Sequence, residues 1–269
     1  MASINRGKWH IASMAVFASL FITLCGVQVE AATATPPLVE QVQAHYAQVT
    51  NYASMMYAEE VKGDRVQRRF GRAFFARPSL MRNELIDGTE FGDAGAEAIY
   101  DGGEKMRGHQ GGMLRLLTVS MRYDGLALKS LLGFTFREMT LGAVLERLNL
   151  YQQLGTVAVA GAQRIGGVET VALRLQLAAG MTLPPEDRVA KLGVSHEMVY
   201  VDPRSYLPVA WALYKDGQRV RLLAFEVLKV NVELDPAIFR TVKLQDADRA
   251  ALLRLLPAAG WRPEQWPAP

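Results

Sequence analysis

Short turn sequences recur along this chain between runs of residues that favour β-strands. Asp101-Gly102-Gly103-Glu104 is flanked by two apolar runs, and other such runs are divided by Lys62-Gly63-Asp64, Asp87-Gly88, Ile165-Gly166-Gly167 and Lys215-Asp216-Gly217. Glycine and aspartate tolerate the backbone angles of tight hairpins, so these turns indicate antiparallel neighbours. The connections are too short for the helical crossovers that parallel strands need. We therefore predict a single antiparallel sheet of about ten strands, a size at which sheets curl.

Helical spacing of apolar residues interrupts this strand pattern near both ends and once in the middle. The terminal helices are predicted at residues 38–49 and 247–256. The middle interruption, at about residues 123–151, contains two helical stretches, at residues 123–132 and 141–151, and Thr140 is the expected N-cap of the second. The predicted fold class is therefore mainly β (α+β): a single large curved antiparallel sheet with one helical insertion.

The chain has the composition of a folded protein without subdivisions. Neither an internal repeat nor a Gly/Ser-rich linker divides it. Half of its residues (50%) are hydrophobic and 21% are charged, so it has the apolar surface that disordered chains lack. We predict one domain over residues 35–245, followed by a C-terminal helix and a loose tail over residues 246–269.

The first 34 residues have the features of an export signal. Arg6 and Lys8 precede a continuous apolar segment, and Ala32-Thr33-Ala34 has the small-residue pattern of a cleavage site. The apolar segment is shorter than the roughly 20 residues that a transmembrane helix needs. We therefore predict a signal peptide over residues 1–34, cleaved near Ala34, and a periplasmic mature protein. The alternative is an uncleaved N-terminal anchor.

Cleavage after Ala34 would remove the only cysteine of the chain, Cys25. Leu24 is larger than the residue that precedes the acylated cysteine of a lipoprotein, which disfavours acylation at Cys25. Without a cysteine the mature chain has no disulfide or thiol nucleophile. Removing Arg6, Lys8 and Glu30 lowers the formal net charge from +3 to +2, which is too small to indicate nucleic-acid binding.

Catalytic and metal-binding motifs are not found in the sequence. His45, His109 and His196 lie in separate segments, and the His196-Glu197 pair lacks the second histidine of a zinc motif because residue 200 is tyrosine. Turn formation explains Asp101 and Glu104 more simply than a pair of catalytic carboxylates does. We predict a protein that is not an enzyme and that uses neither a metal nor a cofactor.

Arginines are concentrated on the predicted hairpin around Lys62-Gly63-Asp64 and on the strand after it. One interpretation is a solvated strand face whose charges discourage edge pairing. The other is a basic rim that contacts anionic head groups or an acidic protein partner. The predicted rim residues are Arg65, Arg68, Arg69, Arg72 and Arg82.

The helical insertion and the segment before it are unusually apolar for a connection between strands. Leucine, methionine and phenylalanine are frequent over residues 113–139. The segment could pack as core helices on the sheet, or it could cover an apolar cavity. Methionine suits the second role because its unbranched thioether chain adapts to varied ligands.

The order of several motifs resembles the LolA/LolB-type family of outer-membrane lipoprotein-sorting proteins. After a leading helix, the resemblance is carried by Phe74-Phe75-Ala76-Arg77-Pro78-Ser79-Leu80-Met81-Arg82, by Ile99-Tyr100-Asp101-Gly102-Gly103-Glu104-Lys105-Met106, by the strand–turn–strand at residues 198–209 and by the closing segment at residues 231–239. It implies an unclosed β-barrel that holds acyl chains under a helical lid. It also implies that Arg77 tethers the lid, although Arg77 could equally be a strand-end arginine before proline.

This resemblance leads to specific site predictions. The expected cavity wall consists of Phe70, Phe74, Leu80, Met198, Tyr200, Trp211 and Phe225. The expected lid residues are Leu128, Leu131, Leu132, Leu141, Leu145 and Leu148.

The leading functional hypothesis is a periplasmic, non-enzymatic carrier or receptor for lipid or lipoprotein acyl chains. The alternative is an interaction or sensing module that docks an envelope membrane-protein partner through the arginine-rich hairpin. An enzyme that acts on an envelope substrate is a third hypothesis. A cavity would bind its ligand almost independently of salt, whereas docking through arginines would weaken as salt increases.

Overall fold

The computed structural model describes residues 36–125 and 128–257. The predicted signal peptide and the end of the predicted tail lie outside these residues. The described chain contains α1 (Pro36–Ala47), α2 (Leu141–Leu154), α3 (Arg188–Leu192) and α4 (Asp246–Leu255), with short 3-10 turns at Gly112–Leu116, Phe136–Met139 and Pro236–Phe239. The strands are β1 (Asn51–Lys62), β2 (Arg65–Ala76), β3 (Leu80–Gly88), β4 (Glu97–Tyr100), β5 (Lys105–His109), β6 (Val119–Arg122), β7 (Gly155–Ile165), β8 (Val168–Leu177), β9 (His196–Val201), β10 (Pro208–Lys215) and β11 (Gln218–Val230).

All of these strands belong to one antiparallel sheet. Its order is β6-β5-β4-β3-β2-β1-β11-β10-β9-β8-β7, so the only neighbours that are not consecutive in the chain are β1 and β11. The two edges, β6 and β7, do not pair with each other, and the sheet is an unclosed barrel of eleven strands. The predicted fold class is therefore confirmed.

The insertion at residues 123–154 joins the two edge strands of this sheet. Since β6 ends at Arg122 and β7 begins at Gly155, the intervening chain has to travel from one edge to the other. It therefore crosses one face of the sheet, which we call the insertion face. The topology explains why this connection is apolar, because a segment lying across a sheet face is buried on its inner side.

The two faces of the sheet carry separate hydrophobic clusters. On the insertion face, Phe75 and Trp211 pack with Leu148 of α2. On the opposite face, Phe74 packs with Phe239 and with other residues of the segment at residues 232–256, and we call this the C-terminal face. Strands covered on both sides are apolar on both sides, which accounts for the weak alternation seen in β9 and β10.

The helical prediction for the insertion is confirmed in its second part and wrong in its first. Thr140 Oγ1 accepts a hydrogen bond from Ala143 N at 3.2 Å and caps α2 as expected. The described part of residues 123–132 forms turns instead of a helix. Leu131 N and Leu132 N donate to side chains of the sheet, so they are not available for helical hydrogen bonds. Two further elements, β6 and α3, were not anticipated.

Candidate functional site: a methionine-lined cavity under the insertion

A cavity of about 540 Å³ lies between the insertion face and residues 128–139 of the insertion. Its apolar lining comes from alternate positions of several strands and from the segment that covers them. This lining is rich in methionine and is formed by Met56, Ala58, Leu85, Ala98, Met106, Val119, Met121, Leu128, Leu131, Phe136 and Met139. Unbranched methionine side chains allow such a wall to adapt to ligands of different shape.

Charged side chains also line the cavity, and several of them are exposed. Arg65 pairs with Glu90 at 3.3 Å, and the two side chains are 69% and 40% exposed. Arg69 pairs with Asp93 at 3.1 Å and is less exposed. Lys129 of the insertion lines the same cavity. The cavity therefore combines apolar side chains with polar and charged ones, and Arg65 and Arg69 are paired with carboxylates of the same lining.

Two side chains of the sheet hold the covering segment by its backbone. Glu60 of β1 accepts a hydrogen bond from Leu132 N at 2.7 Å and one from Ser130 Oγ at 2.8 Å. Gln67 of β2 accepts one from Leu131 N at 3.0 Å. These bonds satisfy backbone donors that would otherwise be buried without a partner, and they attach the segment to the sheet beside the cavity.

The Glu60 carboxylate also pairs with a fully buried arginine of β11. Arg221 is 1% exposed, and its Nε donates to Glu60 Oε1 at 3.2 Å. Its guanidinium carbon lies 3.9 Å from the centre of the Phe134 ring and 4.4 Å from that of Trp211. Burial lowers the pKa of the Arg221 guanidinium. Among the described residues, neither Nη1 nor Nη2 of Arg221 has a hydrogen-bond partner.

A second buried arginine fixes α2 to the sheet. Arg147 of α2 donates to Glu197 of β9 and to Asp187, which also caps α3. Trp211 Nε1 donates to the same Glu197 at 2.7 Å. Burial acts to lower the pKa of Arg147, but the two carboxylates outweigh burial and raise it. In contrast to Arg221, Arg147 donates to carboxylates from Nε, Nη1 and Nη2.

The structure separates the predicted cavity-wall residues between the two faces of the sheet. Trp211 and Phe225 lie in the core of the insertion face. Phe70, Phe74 and Tyr200 lie in the core of the C-terminal face, and Leu80 and Met198 pack against that core. These residues therefore do not share one wall, and none of them lines the cavity described above. Their alternation along each strand was visible in the sequence, but the face that the insertion covers was not.

The predicted lid residues have two different roles. Leu132, Leu141, Leu145 and Leu148 are buried in the core of the insertion face. Leu128 and Leu131 line the cavity. The segment that covers the cavity is thus the irregular chain at residues 128–139, whereas α2 packs directly on the sheet.

Among the described residues, Arg77 has its hydrogen bond and its ring contact with the first helix. Its Nη2 donates to Tyr46 O at 2.8 Å, and its guanidinium carbon lies 5.1 Å from the centre of the Tyr46 ring. A side chain added at Gly142 would clash with Tyr46 Oη, which shows how closely α1 approaches the start of α2. Arg77 therefore stabilises the C-terminal end of α1, and the role implied by the family resemblance stays a prediction.

The predicted basic rim does not form one continuous surface. Arg65 and Arg69 line the cavity, whereas Arg68 pairs with Glu59 at 2.7 Å. Arg72 and Arg82 are buried on the C-terminal face. The two interpretations of the arginines, a solvated face and a basic rim, therefore each describe only part of the set.

The buried arginines of this set bind the C-terminal segment. Arg82 pairs with Glu84 and Glu97, and it donates to the carbonyl oxygens of Ile238, Thr241 and Val242. Arg72 Nε donates to Leu256 O at 2.8 Å. These contacts hold the segment that covers the C-terminal face.

An exposed apolar tip lies next to the cavity. Phe91 is 91% exposed and Met113 is 92% exposed, and Leu116 and Leu117 are also exposed. The loops that carry them are joined by a hydrogen bond from Gly111 N to Gly92 O at 2.8 Å. Phe91 also lines the cavity, so the tip and the cavity are continuous. Apolar residues at a loop end are a signal for an interaction surface, but in the sequence they could not be distinguished from the apolar insertion that follows.

Within residues 36–125 and 128–257, histidine, cysteine, aspartate and glutamate do not gather into a group of three or more that could hold a metal ion. None of the helices in these ranges combines the length and the apolar character that crossing a membrane requires.

Comparison with known proteins finds similarity in structure only, because neither a protein-family model nor a curated protein matches the sequence. An uncharacterized conserved protein from Thermus thermophilus is 11% identical, with a TM-score of 0.45 over 78% of this chain and 94% of that one. The lipoprotein LppX from Mycobacterium tuberculosis is 10% identical, with a TM-score of 0.44 over 75% of this chain and 100% of that one. A LolA superfamily protein from Nitrosomonas europaea is 9% identical, with a TM-score of 0.33 over 77% and 97% of the two chains. The family that the sequence motifs resemble is thus represented among the structural neighbours.

Proposed function

We propose that this protein is an exported, non-enzymatic carrier or receptor that holds an acyl chain of a lipid or lipoprotein in the cavity under the insertion. The observation that carries the proposal is the methionine-rich wall between the sheet and residues 128–139. A volume of about 540 Å³ lies within the range of about 300–1,000 Å³ of small-molecule sites. The ligand class follows from the wall, because apolar side chains recognise apolar surface.

The physical basis of such carriage is the transfer of methylene groups out of water. Each buried methylene contributes about 0.8 kcal/mol, so a chain of several methylenes provides the affinity without any specific polar contact. Glu60 and Gln67 hold the cover over the cavity by its backbone, and Leu132 and Phe134 anchor it in the core of the insertion face. The hydrogen bond to Gln67 contributes about 1 kcal/mol and each bond to the charged Glu60 about 1.5–3 kcal/mol, so the stretch beside Gln67 is the part that opens when a ligand enters or leaves.

A matched pair of substitutions in the insertion tests this proposal. Leu131 lines the cavity and is partly exposed, whereas Leu145 of α2 is buried in the core of the insertion face. We expect Leu131→Asp to abolish uptake of a fluorescent fatty acid while it lowers the melting temperature by only a few degrees. Leu145→Asp should instead lower the melting temperature strongly, because it buries an unpaired carboxylate. Equal loss of uptake and stability in both variants would contradict the proposal.

The natural ligand can be sought directly. Native mass spectrometry of the protein purified from a bacterial periplasm, followed by organic extraction, would detect a lipid that co-purifies. A stoichiometric lipid mass that is lost in Leu131→Asp supports the cavity as its site. An apo mass together with no fatty-acid uptake contradicts carriage.

The exposed apolar tip favours a second candidate function, docking to an envelope membrane protein. Phe91, Met113 and Leu116 are exposed on neighbouring loops, Phe91 also lines the cavity, and Arg115 lies between the last two in the chain. A partner at this position could receive or deliver a ligand. We expect Met113→Ser with Leu116→Ser to weaken capture of envelope proteins from a detergent extract and to leave fatty-acid uptake unchanged. If capture instead depends on Arg65 and weakens as the salt concentration rises, the docking surface is the arginine-rich hairpin.

A further inference from the structure

The terminal edge of the Arg221 guanidinium is the most unusual polar feature of the described residues. Arginine has five N–H donors, and here only Nε has an acceptor, Glu60 Oε1 at 3.2 Å. Nη1 and Nη2 are buried and have no hydrogen-bond partner among the described residues. Buried donors are rarely left in this state, because an unmade hydrogen bond to a charged group is costly.

The surroundings of Arg221 stabilise its positive charge without using these donors. Phe134 and Trp211 contact the guanidinium through their rings, at 3.9 Å and 4.4 Å from the ring centres. A ring provides electrostatic attraction to the charge but no hydrogen-bond acceptor of the strength of a carboxylate. Glu138 and Glu197 act on Arg221 at longer range. The site therefore has charge compensation from Glu60 on the Nε side and from more distant carboxylates, and its Nη1 and Nη2 donors have no acceptor among the described residues.

This edge is connected to the cavity through the covering segment. Ser130 lines the cavity and donates to Glu60, and Glu60 in turn accepts from Arg221. Phe134, which contacts Arg221, is two residues from Phe136, which lines the cavity. Movement of residues 130–136 would therefore join the cavity to Arg221. The same residues are held by the hydrogen bonds to Glu60 and Gln67 and by the burial of Leu132 and Phe134 in the core of the insertion face.

We propose that Arg221 binds the carboxylate of an acyl-chain ligand whose hydrocarbon tail occupies the methionine-lined cavity. A carboxylate can accept two parallel hydrogen bonds from Nη1 and Nη2 in the bidentate geometry that arginine favours. Glu60 remains on the Nε side. This inference rests on the proposed function and narrows it, because it selects free fatty acids, or carboxylates of similar shape, from among the lipids that an apolar cavity accepts.

The test compares two ligands of equal chain length on the full protein. Laurate and dodecanol differ in the head group, and each is measured by displacement of the uncharged probe N-phenylnaphthylamine. We expect wild-type protein to bind laurate at least about tenfold more tightly than dodecanol, the effect of one charge-assisted interaction. In Arg221→Met the ratio should fall to about one, with dodecanol affinity retained. Equal affinity of wild-type protein for both ligands would overturn the inference.

The design separates this inference from the proposed function and from misfolding. If wild-type protein binds neither ligand, the proposed function fails as well. Glu60→Gln combined with Arg221→Met removes both buried charges together, and it provides a second protein in which the ratio should be about one. If either folded variant still prefers laurate, the carboxylate binds elsewhere and the inference is overturned. The same holds if the preference is lost only in Arg65→Met.

A measurement on unmodified protein completes the test. In protein labelled with ¹⁵N-arginine, laurate should shift the Nη signals of Arg221, and dodecanol should leave them in place. Nη signals of Arg221 that do not respond to bound laurate would overturn the inference, even if laurate binds more tightly than dodecanol.

Discussion

The two faces of the sheet are covered in opposite ways. Under the insertion, acceptors of the sheet, Glu60 and Gln67, bind backbone N–H groups of the covering segment. Under the C-terminal segment, donors of the sheet, Arg82 and Arg72, bind backbone carbonyls. The first cover encloses a cavity of about 540 Å³, whereas the second lies on a packed cluster of aromatic and small side chains.

This difference indicates which cover can move. Arg82 alone contacts two carboxylates and three carbonyls and is 0% exposed, so releasing the C-terminal segment breaks a buried charge network. Releasing residues 130–134 breaks the hydrogen bonds to Glu60 and Gln67 and exposes Leu132 and Phe134, but it leaves the Glu60–Arg221 pair within the sheet. We therefore regard the C-terminal face as the rigid support of the fold, and we expect the cover on the insertion face to be the one that moves.

The largest expected effect comes from breaking the rigid support. Arg82→Met removes the cation that pairs with Glu84 and Glu97 and leaves these buried carboxylates undercompensated. We expect the free energy of unfolding to fall by about 3–5 kcal/mol in urea denaturation. Arg164→Met is the control, because Arg164 is an exposed arginine in a weak pair with Glu169. A loss below about 1 kcal/mol in Arg82→Met would show that this face is not held by Arg82.

A smaller effect concerns a carboxyl group on the C-terminal face. Glu226 is the cross-strand neighbour of Met55, its Oε1 is buried without a partner, and burial raises its pKa to about 7 from 4.5. The folded protein therefore retains a proton that the unfolded chain loses. The stability associated with this proton is present below pH 4.5 and is lost as the pH rises through 7.

Glu226→Gln checks this titration. The variant should match wild-type stability near pH 4.5 and exceed it at pH 8 by about 1–2 kcal/mol, since the partial exposure of Glu226 reduces the full effect of its raised pKa. Urea denaturation at the two pH values measures the difference. A constant difference between variant and wild type across this range would contradict the assignment.

The smallest expected effect concerns a single hydrogen bond between the sheet and its cover on the insertion face. Gln67→Ala removes one hydrogen bond to Leu131 N and should cost about 1 kcal/mol or less. Because the covering segment opens separately from the sheet in this view, hydrogen exchange should accelerate at residues 130–134 and stay unchanged in β10 and β11. Acceleration spread evenly over the sheet would mean that the insertion and the sheet open together.

Much of the fold could be predicted from the sequence, because it depends on local chemistry. The Asp-Gly and Gly-Gly turns define antiparallel neighbours whatever lies above the sheet, and Thr140 caps α2 through atoms three residues away. The first half of the insertion was predicted less well. Its apolar residues have helical spacing, but Leu131 N and Leu132 N bond to side chains more than sixty residues earlier in the chain.

The candidate site was predicted in character more than in detail. An apolar space under the insertion with a role for methionine was expected, and Leu128 and Leu131, which were predicted as lid residues, line the cavity. Phe70 and Phe74 were assigned to the same wall as Trp211, yet they lie on the opposite face. Alternation divides a strand into two sides, but it carries no information about which distant segment covers each side.

The sequence by itself determined the antiparallel sheet, the positions of most turns and the presence of an apolar insertion, since each of these depends on neighbouring residues. Only the tertiary structure decided that the insertion joins β6 to β7 and so crosses one face. It also decided that Arg82 is buried under the C-terminal segment and Arg221 under the insertion. The physical reason is that burial and pairing of a charged side chain depend on segments far apart in the chain, which only the complete set of strand pairings brings together.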